Sequence, residues 1–373
     1  MTRWQLAVLA GGVLVCSVLA WNLYLPDAAR GRNDFLQLYT GGKLAGTVDL
    51  YNSSRVREVQ LQALGEAGES LQFTRLPYYA LLLKPLSALP YGWAYLCWEV
   101  LSAAALAGFV MLWPGGSGWT KWLVCCWSIP AFVALFDGQD VSFLLLWVAL
   151  AVREQRRGRP ATAGAILALC ASKFHLVLLI PLVLVAQRRW RMAGGLAGGG
   201  AVLLAISFAV AGWGWPRSYL EVLTDARIQP SVASMPNFHG LLSGLPHGLA
   251  LEVAAGLVMA AVVFAAARRA SSLEAPLTLA LAAGILVSFH AYLMDCALLL
   301  PALILILRSA VPRPTRVAAW FLATPLPWLF LNLPTPLPTV TRLALVALVA
   351  GMAVAVPAML LAQSAAIKTG STR

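Results

Sequence analysis

The chain has 373 residues, of which 60% are hydrophobic and 11% charged, and its mean hydropathy is +0.77. Soluble domains carry about 25% charged residues, so this composition excludes one large water-soluble globule. The formal net charge of +12 would suit a nucleic-acid-binding protein, but the positions of the basic residues favour a membrane topology and no nucleic-acid partner.

Apolar stretches of about 20 residues recur along the chain and predict a single all-α polytopic domain over 1–373, with about twelve membrane segments. The first predicted helix covers about 4–25, and we interpret it as retained because the apolar run is too long for a signal-peptide core. The polar segment 26–90 follows. We expect it outside the cytoplasm, with short amphipathic helices lying along the membrane surface.

The next predicted helices cover about 91–113 and 119–136, followed by an outer turn at Asp137–Asp140 and a shorter helix. Clusters of arginine then flank residues 160–187 on both sides. A single crossing would put one cluster on the wrong side of the membrane, so the pattern predicts a short hairpin with its tip near Lys173. Neither half is long enough to span a bilayer, and the tip must lie among other helices or at a water-filled cavity.

The remaining pattern predicts six further helices and a Trp- and Pro-rich outer loop at 213–246. These helices are expected at about 192–212, 247–267, 275–289, 293–308, 317–332 and 342–363.

The basic residues set the orientation. The predicted cytoplasmic loops and both termini hold 16 of the 27 Lys and Arg residues but only two acids, Glu154 and Glu274. This positive-inside pattern places both termini in the cytoplasm and the polar segments on the opposite face. The loops in question are 113–121, 152–159, 187–191, 268–274 and 308–316.

Ionisable groups in or near a membrane are costly and are therefore candidates for function. Asp34 follows the first helix on the outer side, where its carboxylate could remove a proton from an attacking hydroxyl, or could merely cap a helix. Gln139 and Asp140 lie in the outer turn, where they could bind a substrate, and Asp140 has the same helix-capping alternative.

Lys173 and His175, at the predicted hairpin tip, could hold a phosphate by charge, although a lysine there could also extend to the interface. His290 and Asp295 bracket another outer turn, where they could instead cap helices.

Four further residues could contact a sugar, a lipid headgroup or another polar ligand, and two of them could simply begin a helix. Arg75 and Tyr78 could line a groove for a sugar or a lipid headgroup. Asn237 and His239 could contact a polar ligand or could simply begin a helix. All the candidates fall on one predicted side, although the topology was derived without them. No paired-acid metal motif is present, and we expect neither a metal nor a cofactor.

Six blocks in order resemble glycosyltransferase family 87 of the GT-C superfamily, which includes the mycobacterial polyprenol-phosphate-mannose-dependent α-mannosyltransferase of phosphatidylinositol-mannoside synthesis. The blocks are NDFLQLYTGGKL with DLYN (33–44 and 49–52), TRLPYYALLLKPLSALPYGWAYLCWEV (74–100), GQDVSFLLL (138–146), LALCASKFHLVLLIPLVLVAQRRWR (167–191), MPNFHGLL (235–242) and SFHAYLMDCALLLPAL (288–303).

The resemblance implies a GT-C type helical bundle in a bacterial inner membrane, with its active site on the periplasmic or extracellular face. It implies an inverting enzyme that moves a sugar, mannose or another hexose, from a polyprenyl-phosphate donor to a hydroxyl of a lipid or glycan acceptor. Asp34 is then the general base, with Lys173 and His290 as partners of the donor phosphate.

One departure from the family pattern is Met294 before Asp295, where relatives often carry His-Asp. The alternative function is a secondary transporter or a flippase for lipid-linked sugars. This alternative hypothesis predicts inverted repeats and charged or broken helices at the midplane of the membrane.

Overall fold

The computed structural model describes residues 1–25, 30–65, 70–115, 117–225, 231–307, 309, 311–334 and 336–356, and these residues form helices with no strand. The α-helices in chain order are α1 (Arg3–Leu19), α2 (Phe35–Leu44), α3 (Ser53–Leu64), α4 (Pro77–Ser87), α5 (Tyr91–Leu112), α6 (Gly118–Cys126), α7 (Ile129–Phe136), α8 (Val141–Arg156), α9 (Pro160–Ala168), α10 (Ile180–Ala186), α11 (Trp190–Ala211), α12 (Trp215–Thr224), α13 (Phe238–Leu242), α14 (Gly248–Arg269), α15 (Glu274–Val287), α16 (Leu300–Ile306), α17 (Arg313–Leu322), α18 (Leu326–Phe330) and α19 (Leu337–Ala355). A π-helical turn at Ala20–Tyr24 extends α1, and 3₁₀ segments cover Leu169–Leu176, Val232–Ser234 and Leu293–Leu299.

Within the described residues, five helices are long and apolar enough to cross a membrane: Arg3–Tyr24, α5, α11, α14 and α19. A sixth span results if α6 and α7, which bend by 64° at the break between them, count as one. The predicted all-helical membrane fold is therefore confirmed, whereas the predicted number of about twelve spans is not. The predicted cytoplasmic C-terminus and the last part of the predicted helix 342–363 lie outside the described residues.

Prolines explain much of the difference in the number of spans. Pro130, Pro181 and Pro301 each lie in the first turn of a short helix, α7, α10 and α16. Proline fits this position but cannot continue a preceding helix, because it lacks an N–H group and its ring collides with the previous turn. Helices α10 and α16 have seven residues each, which corresponds to about 10 Å of the roughly 30 Å of a bilayer core.

The segment predicted as a hairpin consists of α9, the 3₁₀ segment Leu169–Leu176 and α10. Its backbone leaves the helical conformation at Lys173 (φ −126°, ψ 57°). Helix α9 packs directly on α11. The two backbones are so close that a Cβ atom added at Gly195 would collide with the carbonyl oxygen of Ala161. Glycine at this contact lets the two backbones touch and holds the hairpin in place.

Helix α2 differs from the surface-lying helix predicted for this region. Nine of its ten residues are buried, and it packs against α4. Its apolar side chains Phe35, Leu38 and Tyr39 join a core with Trp98 and Tyr219. Burial of α2 brings its first turn, and with it Asp34, into the interior of the protein.

The arginine-rich loops meet at one end of the molecule. Arg156 contacts Glu274 at 2.6 Å, and Gln187 donates a hydrogen bond to the carbonyl oxygen of Ser272 at 2.6 Å. Both ends of the hairpin segment therefore reach the same short connection before α15. Helix α8 runs from this end to Asp140, and its 16 residues span about 24 Å.

Candidate active site

A cavity of about 700 Å³ lies at the opposite end of α8 from the arginine-rich loops. It forms where the start of α2, the extended segment 70–76, the turn before α8, the 3₁₀ segment at Lys173 and the 288–295 loop meet. Its lining residues are Tyr24, Leu25, Asp34, Gln37, Ser70, Leu71, Gln72, Thr74, Arg75, Val133, Asp137, Gln139, Lys173, His175, Ser234, His290, Tyr292, Leu293, Met294, Asp295, Leu331 and Asn332.

Asp34 lies immediately before α2 and lines the cavity, but its side chain does not cap the helix. Its backbone N–H donates to Oδ1 of Asp137 at 3.1 Å, and its Oδ2 accepts a hydrogen bond from Nε2 of Gln139. Burial raises the pKa of Asp34, whereas the nearby charges of Lys173 and Arg75 lower it. A half-buried carboxylate with a raised pKa is suited to accept a proton near neutral pH.

The turn from Asp137 to Asp140 is tied to the start of α2. Gly138 has φ +70°, and a Cβ atom there would collide with Phe35. The N–H of Phe35 donates to the carbonyl oxygen of Asp137 at 3.1 Å. Glycine is required here both for the left-handed backbone and for the close approach, and this approach brings Gln139 beside Asp34.

Arg75 and Asp140 form a buried bidentate ion pair. Nε of Arg75 donates to Oδ2 of Asp140 at 2.9 Å, and Nη2 donates to Oδ1 at 3.1 Å. Burial by itself raises the pKa of Asp140, but the charges of Arg75 and Lys173 outweigh it and lower this pKa to about 2. Asp140 therefore stays ionised; it does not line the cavity and holds Arg75 from behind.

Lys173 sits at the non-helical point of the hairpin, and its ammonium group is buried. Nζ donates to Oδ1 of Asp295 at 2.6 Å and to Oε1 of Gln139 at 2.8 Å, and it lies 3.7 Å from Oδ1 of Asp140. These contacts, rather than the interface, hold the lysine at the cavity.

The imidazole rings of His175 and His290 lie perpendicular to each other, with centroids 6.1 Å apart. Both line the cavity and also a smaller neighbouring pocket whose walls include Phe174, Tyr219 and Phe289. Burial lowers the pKa of His290, so its imidazole is neutral at pH 7 and offers hydrogen bonds rather than charge.

The described residues around the cavity hold more acids than cations. Two cations, Arg75 and Lys173, face four carboxyl groups, those of Asp34, Asp137, Asp140 and Asp295. Burial and the neighbouring Asp34 raise the pKa of Asp137 well above its usual value. The two acids with raised pKa values, Asp34 and Asp137, are those outside the ion pairs that Arg75 and Lys173 make with Asp140 and Asp295.

Besides Asp140, three of the predicted site residues do not line the cavity. Tyr78 is buried, and its hydroxyl donates to the carbonyl oxygen of Leu169 at 3.1 Å. Asn237 caps α13 and donates to the carbonyl oxygen of Ser288 at 2.7 Å, in agreement with its alternative role as a helix start. His239 pairs with Glu252 at 2.9 Å. Each of these three residues makes a contact within the protein, and none of them lines the cavity.

The sequence reasoning missed some residues that line the cavity. Asp137 lies in the same turn as the predicted Gln139, and that proximity was the available signal. Gln37 lies three residues after Asp34, one helical turn further along the same face of α2. Gln72 and Thr74 belong to an extended segment that no helical periodicity marks.

A family model described as glycosyltransferase family 87 matches residues 73–294. The match covers more than half of the chain and includes Arg75, Gln139, Lys173 and His290, while Asp34 lies before it. It is a match to the family and does not single out the mycobacterial mannosyltransferase. Comparisons with curated proteins and with solved structures gave no significant match.

Proposed function

The chain belongs to glycosyltransferase family 87, and from this premise we propose that it transfers a sugar from a polyprenyl-phosphate donor to a hydroxyl of a lipid or glycan acceptor. The reaction takes place on the non-cytoplasmic face of the membrane, and mannose or another hexose is the sugar. The observation that carries the proposal is that Asp34 and Lys173, a carboxylate and a buried cation, line one cavity and both contact Gln139.

In the proposed reaction, the acceptor hydroxyl oxygen attacks C1 of the donor sugar from the side of Asp34. Its proton passes to the Asp34 carboxylate as the bond to C1 forms. The bond between C1 and the phosphate oxygen breaks, and its electron pair leaves with the phosphate. Attack on the face opposite the phosphate inverts the configuration at C1.

Lys173 and Arg75 stabilise the departing phosphate. The donor is a phosphodiester with one negative charge, and the released polyprenyl phosphate gains a second. Fixed cations therefore favour the transition state over the bound donor, which is the condition for an effect on rate. Asp295 and Asp140 hold these cations in place before the donor binds.

His290 is neutral and lies beside Arg75 at the cavity wall, where it donates a hydrogen bond to the phosphate. Gln139, His175 and Asp295 line the same cavity as the proposed base and the proposed phosphate site, and we place the sugar beside them. The polyprenyl chain remains in the surrounding lipid, and no metal takes part in the proposed mechanism.

Asp34→Asn tests the proposal, because it keeps the shape of the side chain but cannot accept the proton. With a labelled polyprenyl-phosphate sugar and a membrane lipid extract as acceptor, we expect transfer to fall by about 10²- to 10⁴-fold, the usual contribution of a general base. Asp49→Asn, at an acid of the same segment outside the cavity lining, should transfer sugar like the wild type.

Full transfer by a folded Asp34→Asn variant would contradict the proposed mechanism. Movement of intact lipid-linked sugar across vesicles, without any new glycoside in the wild type, would favour the transporter alternative.

A further inference from the structure

The side chain of Gln139 connects Asp34 to both buried cations. Its Oε1 accepts hydrogen bonds from Nζ of Lys173 at 2.8 Å and from Nη2 of Arg75 at 3.3 Å, and its Nε2 donates to Oδ2 of Asp34. Lysine and arginine can only donate hydrogen bonds, and an ionised carboxylate can only accept them. The amide therefore has one orientation that satisfies all three neighbours.

The backbone also fixes Gln139. Its N–H donates to the carbonyl oxygen of Ala134 at 2.8 Å, and the indole N–H of Trp98 donates to the carbonyl oxygen of Gly138 at 2.8 Å. Gln139 is itself buried, with 5% of its surface exposed. An amide held at both ends and at its backbone is preorganised, with little conformational freedom left to lose when substrates bind.

We infer that Gln139 is a positioning residue for the proposed base: it donates a hydrogen bond that holds Asp34 oriented and ionised, and it links this carboxylate to the charges of Lys173 and Arg75. This inference rests on the proposed function and replaces direct substrate binding as the role of Gln139. The two cations polarise the amide and strengthen its donation to Asp34.

The hydrogen bond from Gln139 adds to the interactions that favour the ionised form of Asp34. The charges of Lys173 and Arg75 and a hydrogen bond with Asp137 favour this form, whereas burial and the nearby Asp295 favour the neutral form. Loss of the hydrogen bond from Gln139 would leave burial and Asp295 less opposed, and Asp34 would retain its proton to a higher pH.

Two substitutions at Gln139 separate this role from others, in the full-length protein in detergent. Gln139→Met keeps the length of the side chain but removes the donor, and we expect the acid limb of the kcat/KM profile to move up by about one pH unit. At pH values below both limbs kcat/KM is then about tenfold lower than in the wild type, and the difference disappears at higher pH. Gln139→Glu keeps acceptor oxygens for Lys173 and Arg75 but adds a charge beside Asp34, so its shift should be larger.

Gln60→Met is the matched control. Gln60 is equally buried, and the hydrogen bonds of its amide within the described residues are with the backbone of Leu71, at 2.6 and 3.0 Å. The acid limb of this variant should stay at the wild-type pH, whatever its stability.

Two results would overturn the inference: an unmoved acid limb with a raised KM for donor or acceptor, which indicates direct binding, or an equal loss of kcat at every pH, which indicates a structural role. If neither Gln139 variant folds, the wild-type profile decides. An acid limb at or below about pH 7 supports a base kept ionised, and one above about pH 8 contradicts it. Wild-type transfer itself tests the proposed function, so the two can fail separately.

Discussion

The four acids around the cavity have different roles because their neighbours differ. Asp140 faces the guanidinium of Arg75 on two hydrogen bonds, and Asp295 faces the ammonium of Lys173. Asp34 has an amide as its nearest partner and opens onto the cavity. Two acids therefore position cations, while Asp34 lines the cavity with a neutral amide as its partner and is the acid to which we assign the uptake of the proton.

Asp140→Asn should destabilise the protein strongly, because it leaves the buried guanidinium of Arg75 without a counter-charge. Breaking a buried ion pair in this way costs about 3–5 kcal/mol. The measurement is unfolding in detergent, followed by heat or denaturant. In the control Asp49→Asn the partly exposed contact with Arg55, at 3.8 Å, is lost, and the change should stay below about 1 kcal/mol. Equal stability of Asp140→Asn and wild type would show that the pair does not support the fold.

The same pair gives a pH dependence of definite sign. The pKa of Asp140 is lowered to about 2 in the folded protein, below about 3.9 in an unfolded chain. Its contribution to stability is therefore fully present above about pH 4 and is lost as the pH falls towards 2. In Asp140→Asn this part of the acid-induced loss of stability should disappear.

At the scale of elements, the sequence predicted the features that depend on the positions of charged residues. It did not predict the features that depend on burial or on prolines at the starts of helices. The arginine clusters on both sides of 160–187 predicted a helix interruption near Lys173, and the backbone is non-helical at that residue. Apolar composition does not distinguish a long span from two short helices, and so Pro130, Pro181 and Pro301 were not recognised as starts of new helices.

Helix α2 and Tyr78 illustrate a second limit. The polar surroundings of α2 favoured a place at the surface, but packing of its aromatic residues against α4 and α5 buries it. Tyr78 stands three residues after Arg75, yet on α4 its hydroxyl faces the hairpin segment rather than the cavity. Tertiary contacts decide which polar residues of a segment face a site, and one sequence alone does not give these contacts.

Gly138→Ala tests the close contact between the turn and α2. The new Cβ would strain the left-handed backbone and collide with Phe35, so the turn must move and separate Gln139 from Asp34. We expect a loss of about 1–3 kcal/mol in stability and a loss of transfer.

Gly158→Ala is the matched control, since Gly158 has φ +75° but no atom within 4 Å of an added Cβ. It should lose stability through backbone strain alone, by about 1–2 kcal/mol, and retain its activity. Equal effects of the two substitutions on transfer would show that the contact with Phe35 is unimportant for the site.

On the scale of the whole molecule, the arginine-rich loops and the acids of the cavity lie at opposite ends of α8. The loops meet at one end, where Arg156 contacts Glu274 and Gln187 contacts Ser272, and Asp140 lies at the cavity end. From the positive-inside rule we expect the first end to face the cytoplasm. In this proposed topology the cavity opens on the other side of the membrane, where we place the proposed reaction.

Single cysteines test this orientation, after replacement of the six natural ones. Thr47→Cys lies at an exposed position after α2, and Ser271→Cys lies at an exposed position in the connection before α15. An impermeant maleimide added to intact cells should label the first variant and spare the second until the membrane is opened. The reverse pattern would place the cavity in the cytoplasm and exclude the proposed topology.

The location of the donor phosphate tests the account most directly. A structure of the full-length protein with a bound polyprenyl-phosphate sugar should place a phosphate oxygen within about 3 Å of Nζ of Lys173, with C1 of the sugar between the phosphate and Asp34. A phosphate bound at the arginine-rich end, or a sugar outside the cavity that Asp34 lines, would contradict it.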